Sequence, residues 1–477
     1  MIDKLSQKNI WVNPCAVSGG DGSFDFPYSK IQTAINEAAA GSTIVLFPGI
    51  YEENLTVRDL CGLPETPITI TAFCRNGEKV VSCSEWYFYS VKDFIIKGIT
   101  FEKTSGSAIS MVGEFHRNSI KDCVFNECGE TSECAVFFGG SGGDGNVVEN
   151  CKFNAPKNCE SHIAVMVSQS VDLEDDSIAC SKNMSVRLCD FENCITAVAA
   201  GSGDDISFMS SAHEICDNLF KNCKNAINLK TDATRIFGNI FRSNEIAINH
   251  ISGLENEIFE NRFENCRNAV ICKEDATIGG NLFVDSKISA IGKEGGKSLS
   301  VLICENTFVS SGKELTKAVI CEENLPLFVT KNIFYDCNLG ENKNFSVKDN
   351  VCNFEGKTEG FSFEKFEFLD RNNGDFSTNL NYGCKNGVEK LTDVVKIPQI
   401  NILEMLEKRG ENFNYDKDNY KNYVGERFAE ETLEERDFLA KSMFFEDKIE
   451  ETEDFEAISA GQQSLRPIGI DGELEDN

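Results

Sequence analysis

Chemistry in this sequence gathers around Lys230. That residue ends the segment Asn225-Ala-Ile-Asn-Leu-Lys230, where apolar and polar residues alternate. A strand here turns Ile227 and Leu229 inward and Asn228 and Lys230 outward. One sequence repeat earlier, Ala197-Val-Ala-Ala200 runs into Gly201-Ser-Gly-Asp-Asp205, and the repeat before that runs from Ile163-Ala-Val-Met-Val167 into Asp172-Leu-Glu-Asp-Asp176. Carboxylates at Asp204, Asp205, Asp175 and Asp176 are oxygen donors of the kind that hold Ca²⁺. A cation held there would neutralise the carboxylate of a uronate sugar, and a lysine beside a cation gives up its proton more readily and can act as a base. The expected chemistry is β-elimination of a uronate-containing polysaccharide or oligosaccharide, with Lys230 as base beside Asn228 and Ca²⁺ as cofactor. Later repeats carry the outward row on to Asn249 and Ile251, then Ile271 and Lys273. Residues 221–273 hold eight Lys/Arg against six Asp/Glu in an otherwise acidic chain, which makes Asn249, Lys273 and Arg242 the expected substrate contacts.

Other readings of these residues stay open. Lys230 and the acids are equally what a solvated surface carries. Asp204 and Asp205 could instead be the paired carboxylates of an inverting glycoside hydrolase. Outward asparagines and aromatics could also hold a glycan with no chemistry at all.

The elements that must position these residues are set by a repeat. Asn-x-Phe recurs at Asn218-Leu-Phe220, Asn239-Ile-Phe241, Asn261-Arg-Phe263, Asn281-Leu-Phe283, Asn306-Thr-Phe308 and Asn332-Ile-Phe334, with a variant at Asn150-Cys-Lys-Phe153 and looser copies ending at Phe101, Phe125 and Phe191. The six regular phenylalanines are spaced by 21, 22, 20, 25 and 26 residues. That is one coil of a β-solenoid and too short for a helix pair. Each coil reads as three short strands, with asparagine at a bend, tolerant of left-handed backbone and able to hydrogen-bond the asparagine stacked on it. Phenylalanine fills the interior. Cys128, Cys194, Cys223, Cys266 and Cys337 follow a phenylalanine by three residues, with Asn244, Ser286 and Ser311 in the same place elsewhere. Small side chains at one interior position suit free thiols better than disulfides.

The first hundred residues carry a different signal. Ile10-Trp-Val-Asn13 and the turn Gly19-Gly-Asp-Gly22 precede Pro27-Tyr-Ser-Lys-Ile-Gln-Thr-Ala-Ile-Asn-Glu-Ala-Ala-Ala-Gly41, which has amphipathic helical spacing. Thr43-Ile-Val-Leu-Phe47, Pro48-Gly-Ile-Tyr51 and Pro67-Ile-Thr-Ile-Thr71 follow as strands. A helix before strands suits the open end of a solenoid, whose edges would otherwise be exposed. This stretch resembles the N-terminal cap of right-handed parallel β-helix, pectin-lyase-like carbohydrate-active proteins. The resemblance implies an all-β, right-handed single-stranded parallel β-helix with an N-terminal capping helix. It also implies a Ca²⁺-plus-lysine site like that of β-helix polysaccharide lyases. In the alginate lyase and chondroitinase B group the lysine strand is followed one coil later by Leu-Arg-His-Gly. The corresponding stretch here is Ile248-Asn-His-Ile-Ser-Gly253. This makes His250 a candidate catalytic residue, with Cys223 and Asn225 standing where the group has glutamates.

Residues 1–75 are expected to form the cap and first coils, 76–387 the β-helix, and 388–477 an acidic helical or disordered tail with 24 Asp/Glu against 11 Lys/Arg. A net charge of −31 argues against a nucleic-acid partner, whose phosphates need clustered Lys/Arg. No apolar run is long enough for a membrane span. The N-terminus lacks a basic segment followed by an apolar one, and 21 cysteines suit a reducing compartment, so the expected location is cytoplasmic.

Overall fold

The computed structural model describes residues 8–383 apart from 74–77, 131–133, 140–141, 157–158, 160, 169, 172–177, 180, 202–210, 292–299, 313–316, 322–325, 341–344, 354–359, 364–365, 369–375, 377, 379 and 381–382. The expected acidic tail, 388–477, lies outside the described residues, as do the Asp172–Asp176 run and Asp204 and Asp205.

Nearly all the regular structure is short parallel strands stacked into three long sheets, which makes the molecule a right-handed parallel β-helix. The coil seen in the sequence at 225–242 is typical. It runs through Asn225–Lys230 in a 12-stranded sheet, here sheet 1, then Arg235–Phe237 in a 14-stranded sheet, sheet 2, then Ile240–Arg242 in a second 14-stranded sheet, sheet 3. The next coil repeats the path at Ile246–Ser252, Asn256–Phe259 and Arg262–Glu264. Each strand pairs only with its equivalents in the coils above and below, so a residue type repeated in the sequence becomes a row along the axis.

Phenylalanine makes the longest interior row. Phe101, Phe125, Phe153, Phe191, Phe220 and Phe241 stack nearly parallel with centroids 4.7–5.2 Å apart. Phe263, Phe283, Phe308 and Phe334 continue the row at 4.7–4.9 Å. The expected row of Phe220, Phe241, Phe263 and Phe283 is therefore present.

Asparagine makes a second row, at the turn from sheet 2 to sheet 3. Asn239 Nδ2 donates to Asn261 Oδ1 at 3.0 Å, Asn261 to Asn281 at 3.1 Å and Asn281 to Asn306 at 3.0 Å. The left-handed backbone falls one residue before these asparagines, on Asp217, Gly238, Glu260 and Gly280. The sequence reading had given it to the asparagine itself. The asparagine is needed for its amide, and the residue before it takes the bend.

At earlier coils the same turn holds Cys123, Cys151 and Cys189, and Cys189 N–H donates to Asn218 Oδ1 at 2.9 Å. The third turn holds the cysteines expected there, except that Ser310 and not Ser311 occupies the interior position in its coil. All described cysteines are free thiols. The coil with Met184, Cys189 and Cys194 at its three interior corners has no side-chain amide at any of them. Arg187–Glu149 and Lys152–Asp190 ion pairs join it to the coil before on the outer surface.

The N-terminal helix is shorter than its amphipathic spacing suggested, spanning only Ile31–Asn36. Gln32 explains its placement. Its amide accepts from Thr56 N–H and donates to Thr56 O, both at 3.0 Å, and so satisfies the edge of the first strand of sheet 1, Leu55–Arg58. At the other end Phe366 and Phe376 pack on the outer side of sheet 3, against Ile333 and Val351 and against Leu282 and Val309.

Candidate functional site

Sheet 1 differs chemically from its two companions. None of its twelve strands contains an aspartate or glutamate, in a chain with 77 of them. Sheets 2 and 3 instead carry ladders of matched charge on their outer faces. Glu214, Arg235 and Glu257 alternate on sheet 2 with separations of 3.6 and 3.3 Å. Glu192 meets Lys221 at 2.9 Å on sheet 3. Such exposed pairs add little stability, but they leave those faces electrically balanced. Arg58, Lys230 and Lys317 are the Lys/Arg residues in the strands of sheet 1.

Register places the candidates. Ala199, Asn228, Asn249 and Ile271 occupy one row along sheet 1. Asn249 Nδ2 donates to Asn228 Oδ1 at 3.2 Å. Asn228, Asn249 and Lys230 are half-buried, turned outward as alternation required. Gly201 pairs beneath Lys230 and must be glycine, because its φ is +85° and a Cβ would come within 2.3 Å of the Lys230 carbonyl oxygen. The segment bearing Asp204 and Asp205 starts at this glycine, so its departure point is beside Lys230. Lys273 follows Cys272, whose side chain is interior, and is itself half-buried. Alternation sets it on the same outer face.

Two sequence-derived candidates do not join this face. Arg242 lies on sheet 3, paired with Glu264 at 2.8 Å. It is close to Lys230 in sequence yet around two corners of the coil. His250 is fully buried, because its strand position is that of Leu229 in the coil before and Cys272 in the coil after. Its Nε2 lies 3.2 Å from Gly253 O and its Nδ1 3.3 Å from Cys272 Sγ. Asn256 Nδ2 lies 3.1 Å from the same Nε2, so the ring sits in a closed set of polar contacts inside the coil. Contact with a substrate on the outer face is closed to it. A bulge follows, and Lys230 pairs with Ser252 instead of Ile251. Among the described residues no three His, Cys, Asp or Glu side chains gather to hold a metal. The acids named as ligands all lie outside those residues.

Burial fixes the charge of the interior histidines. Desolvation holds His250 and His213 down to about 4. Their stabilising preference for the neutral form is complete above the unfolded value of about 6.5 and is lost as pH falls toward 4. Asp217 opposes them: desolvation raises it to about 6, so the cost of its buried charge is relieved over much the same interval. Desolvation lowers His162 and raises Asp275 as well, and three interior histidines against two aspartates leave a net loss of stability between pH 7 and 5. Urea midpoints should fall over that interval, less steeply in His250→Gln and more steeply in Asp217→Asn. Identical midpoints at pH 7 and 5 in all three proteins would refute the assignment.

Sequence reading missed the N-terminal part of sheet 1. Its strands Leu55–Arg58 and Trp86–Tyr89 alternate cleanly, but their coils lack the Asn-x-Phe anchor that aligned the others. Arg58 and Tyr89 are exposed there, beside half-buried Tyr87.

No family model matches this chain, and no curated protein matches it in sequence. Solved structures do match. The PL6 family alginate lyase AlyGC superposes with a TM-score of 0.58 at 14% identity, over 82% of this chain. This chain spans 58% of AlyGC. A mannuronic acid specific polysaccharide family 6 lyase from human gut microbiota superposes with a TM-score of 0.55 at 16% identity, over 76% of this chain and 92% of that one. Long parallel sheets, interior ladders and these similarities together show that the chain has the parallel β-helix fold of these structures.

Proposed function

We propose that the outer face of sheet 1 binds a uronate-containing polysaccharide and cleaves it by β-elimination, with Lys230 as the base. The observation that carries this reading is the acid-free sheet. In a chain of net charge −31, it offers a polyanion one strip without fixed carboxylates, and Lys230 stands on that strip beside Asn228 and Asn249. The two similar structures support it, one being an alginate lyase and the other a mannuronic acid specific lyase.

In this reading Asn228 and Asn249 offer amides to sugar hydroxyls, and Lys273 pairs with a carboxylate further along. Lys230, as the base, takes the proton from C5. The C4–O bond then breaks as the C4–C5 double bond forms, and the departing oxygen takes a proton from water. Ca²⁺, held by Asp204, Asp205, Asp175 and Asp176, would supply charge neutralisation at the substrate carboxylate.

The test is incubation with alginate, polymannuronate and other polyuronates while following absorbance at ~235 nm, where the unsaturated product of this reaction class absorbs, with and without a chelator. A chelator-sensitive rise is expected. New reducing ends without the absorbance would replace elimination by hydrolysis, and binding with neither would leave a glycan-binding solenoid.

A further inference from the structure

The N-terminal end of sheet 1 has the composition of a carbohydrate site far from Lys230. The Arg58 guanidinium lies over the rings of Tyr87 and Tyr89, 5.6 and 5.3 Å from their centroids. Arg58 is exposed and Tyr89 is 38% exposed. No carboxylate among the described residues comes within ion-pair distance of Arg58. This contrasts with Arg187, Arg235, Arg242 and Arg262, each of which meets a glutamate. An arginine held over aromatic rings keeps N–H groups of its planar fork available to a carboxylate.

The surface between this corner and Lys230 is continuous. Register carries the outward row from Tyr87 through Ser110, Phe137, Met166 and Ala199 to Asn228, with no charge on the way. Phe137 lies along its own strand, across the strip and over Gly139, which leaves room for it: a Cβ there would come within 2.4 Å of the ring. A ring laid in this way offers a face to a pyranose. Six coil steps of ~4.8 Å separate the Arg58 strand from the Lys230 strand, about 29 Å, and an extended pyranose chain advances by roughly one such step per residue.

We propose that Arg58, Tyr87 and Tyr89 form a distal subsite for a uronate residue of the same polymer chain, roughly six sugars from the Lys230 site. The occupant is anionic because a guanidinium with no ion pair among the described residues ends an acid-free strip. It is a sugar because that guanidinium rests on aromatic faces that would flank a pyranose. This inference rests on the polyuronate reading and adds a length requirement to it: short oligosaccharides occupy one end, and long ones engage both.

Binding of defined oligomannuronates of about three and about ten residues (lengths set by the six-step span) to the full-length protein and to Arg58→Ala separates the two ideas. The intact protein should bind the long oligosaccharide more tightly than the short. Arg58→Ala should weaken the long one about tenfold and leave the short one unchanged. Arg58→Lys should recover only part of the loss, since an ammonium keeps the charge without the planar fork. Arg58 is exposed, so its replacement should leave folding unaltered, as unfolding midpoints would verify. Equal affinity for both lengths, or an equal effect of Arg58→Ala on both, would overturn the distal subsite while leaving the polyuronate reading in place. Failure of the intact protein to bind polyuronates of any length would remove both.

Discussion

Lys230→Ala is expected to lower turnover of a susceptible polyuronate by about 10²–10⁴-fold, the range contributed by a positioned general base, with no comparable change in unfolding midpoint. The argument for the second half is structural. Lys230 is half-buried on the outside of the stack, whereas the residue beneath it that cannot change is Gly201. Truncating an outer side chain removes none of the interior rows that hold the coils together. Binding should survive better than catalysis, so kcat should carry most of the loss. Asp204→Ala should instead raise the Ca²⁺ concentration needed for half-maximal rate, because several oxygens share such a cation. A Lys230→Ala protein with undiminished turnover would remove Lys230 as the base.

Phe241→Ala should destabilise the fold by about 3–5 kcal/mol, as large aromatic deletions from packed cores do. Phe241 is fully buried, stacked 4.9 Å from Phe220 and 4.8 Å from Phe263, so the deletion opens a void bounded by rings that the strand registers keep from closing. Phe237 provides the control. It also stacks on an equivalent, Phe259, at 5.0 Å, but it is half-buried on the outside of sheet 2, and its replacement should cost about 1 kcal/mol. Urea unfolding of the two variants compares the same substitution inside and outside the coil. Equal losses would mean that the interior row has no special part in stability.

The fold was legible because a solenoid writes its third dimension into its period. Residues 21 or 22 apart in sequence are neighbours along the axis, and Asn-x-Phe marks the same corner of each coil. Outward positions such as Asn228, Asn249 and Lys230 followed from alternation for the same reason. Alternation also made His250 interior, at the position of Leu229. The expectation that it was catalytic came from matching a motif by its letters, and the strand's own geometry overrides that match. Arg242 was misplaced for a different reason. A local surplus of cations is counted along the chain, whereas a coil distributes neighbouring residues over three faces. The distal end of sheet 1 went unread because its coils use other residues at the anchor. Its strands can be aligned with the rest only once pairing is known.

The coil with Met184, Cys189 and Cys194 at its corners leaves the stack unevenly fastened. From Asn218 to Asn350 along the sheet 2 to sheet 3 turn, and between Asn118 and Asn146 on the turn into sheet 2, asparagine rungs fasten coil to coil inside the molecule, where dissolved ions have little influence. Across the joint between Cys151 and Cys189 the rung is a backbone N–H reaching a thiol at 3.5 Å, and the fastening shifts outward to Arg187–Glu149 and Lys152–Asp190. Salt screens the more exposed Lys152–Asp190 pair, and the half-buried Arg187–Glu149 pair less. Raising ionic strength therefore loosens this joint before the asparagine-laddered ones. Under strain the stack is expected to open first here, between the coil ending near Asn154 and the coil beginning near Ser181.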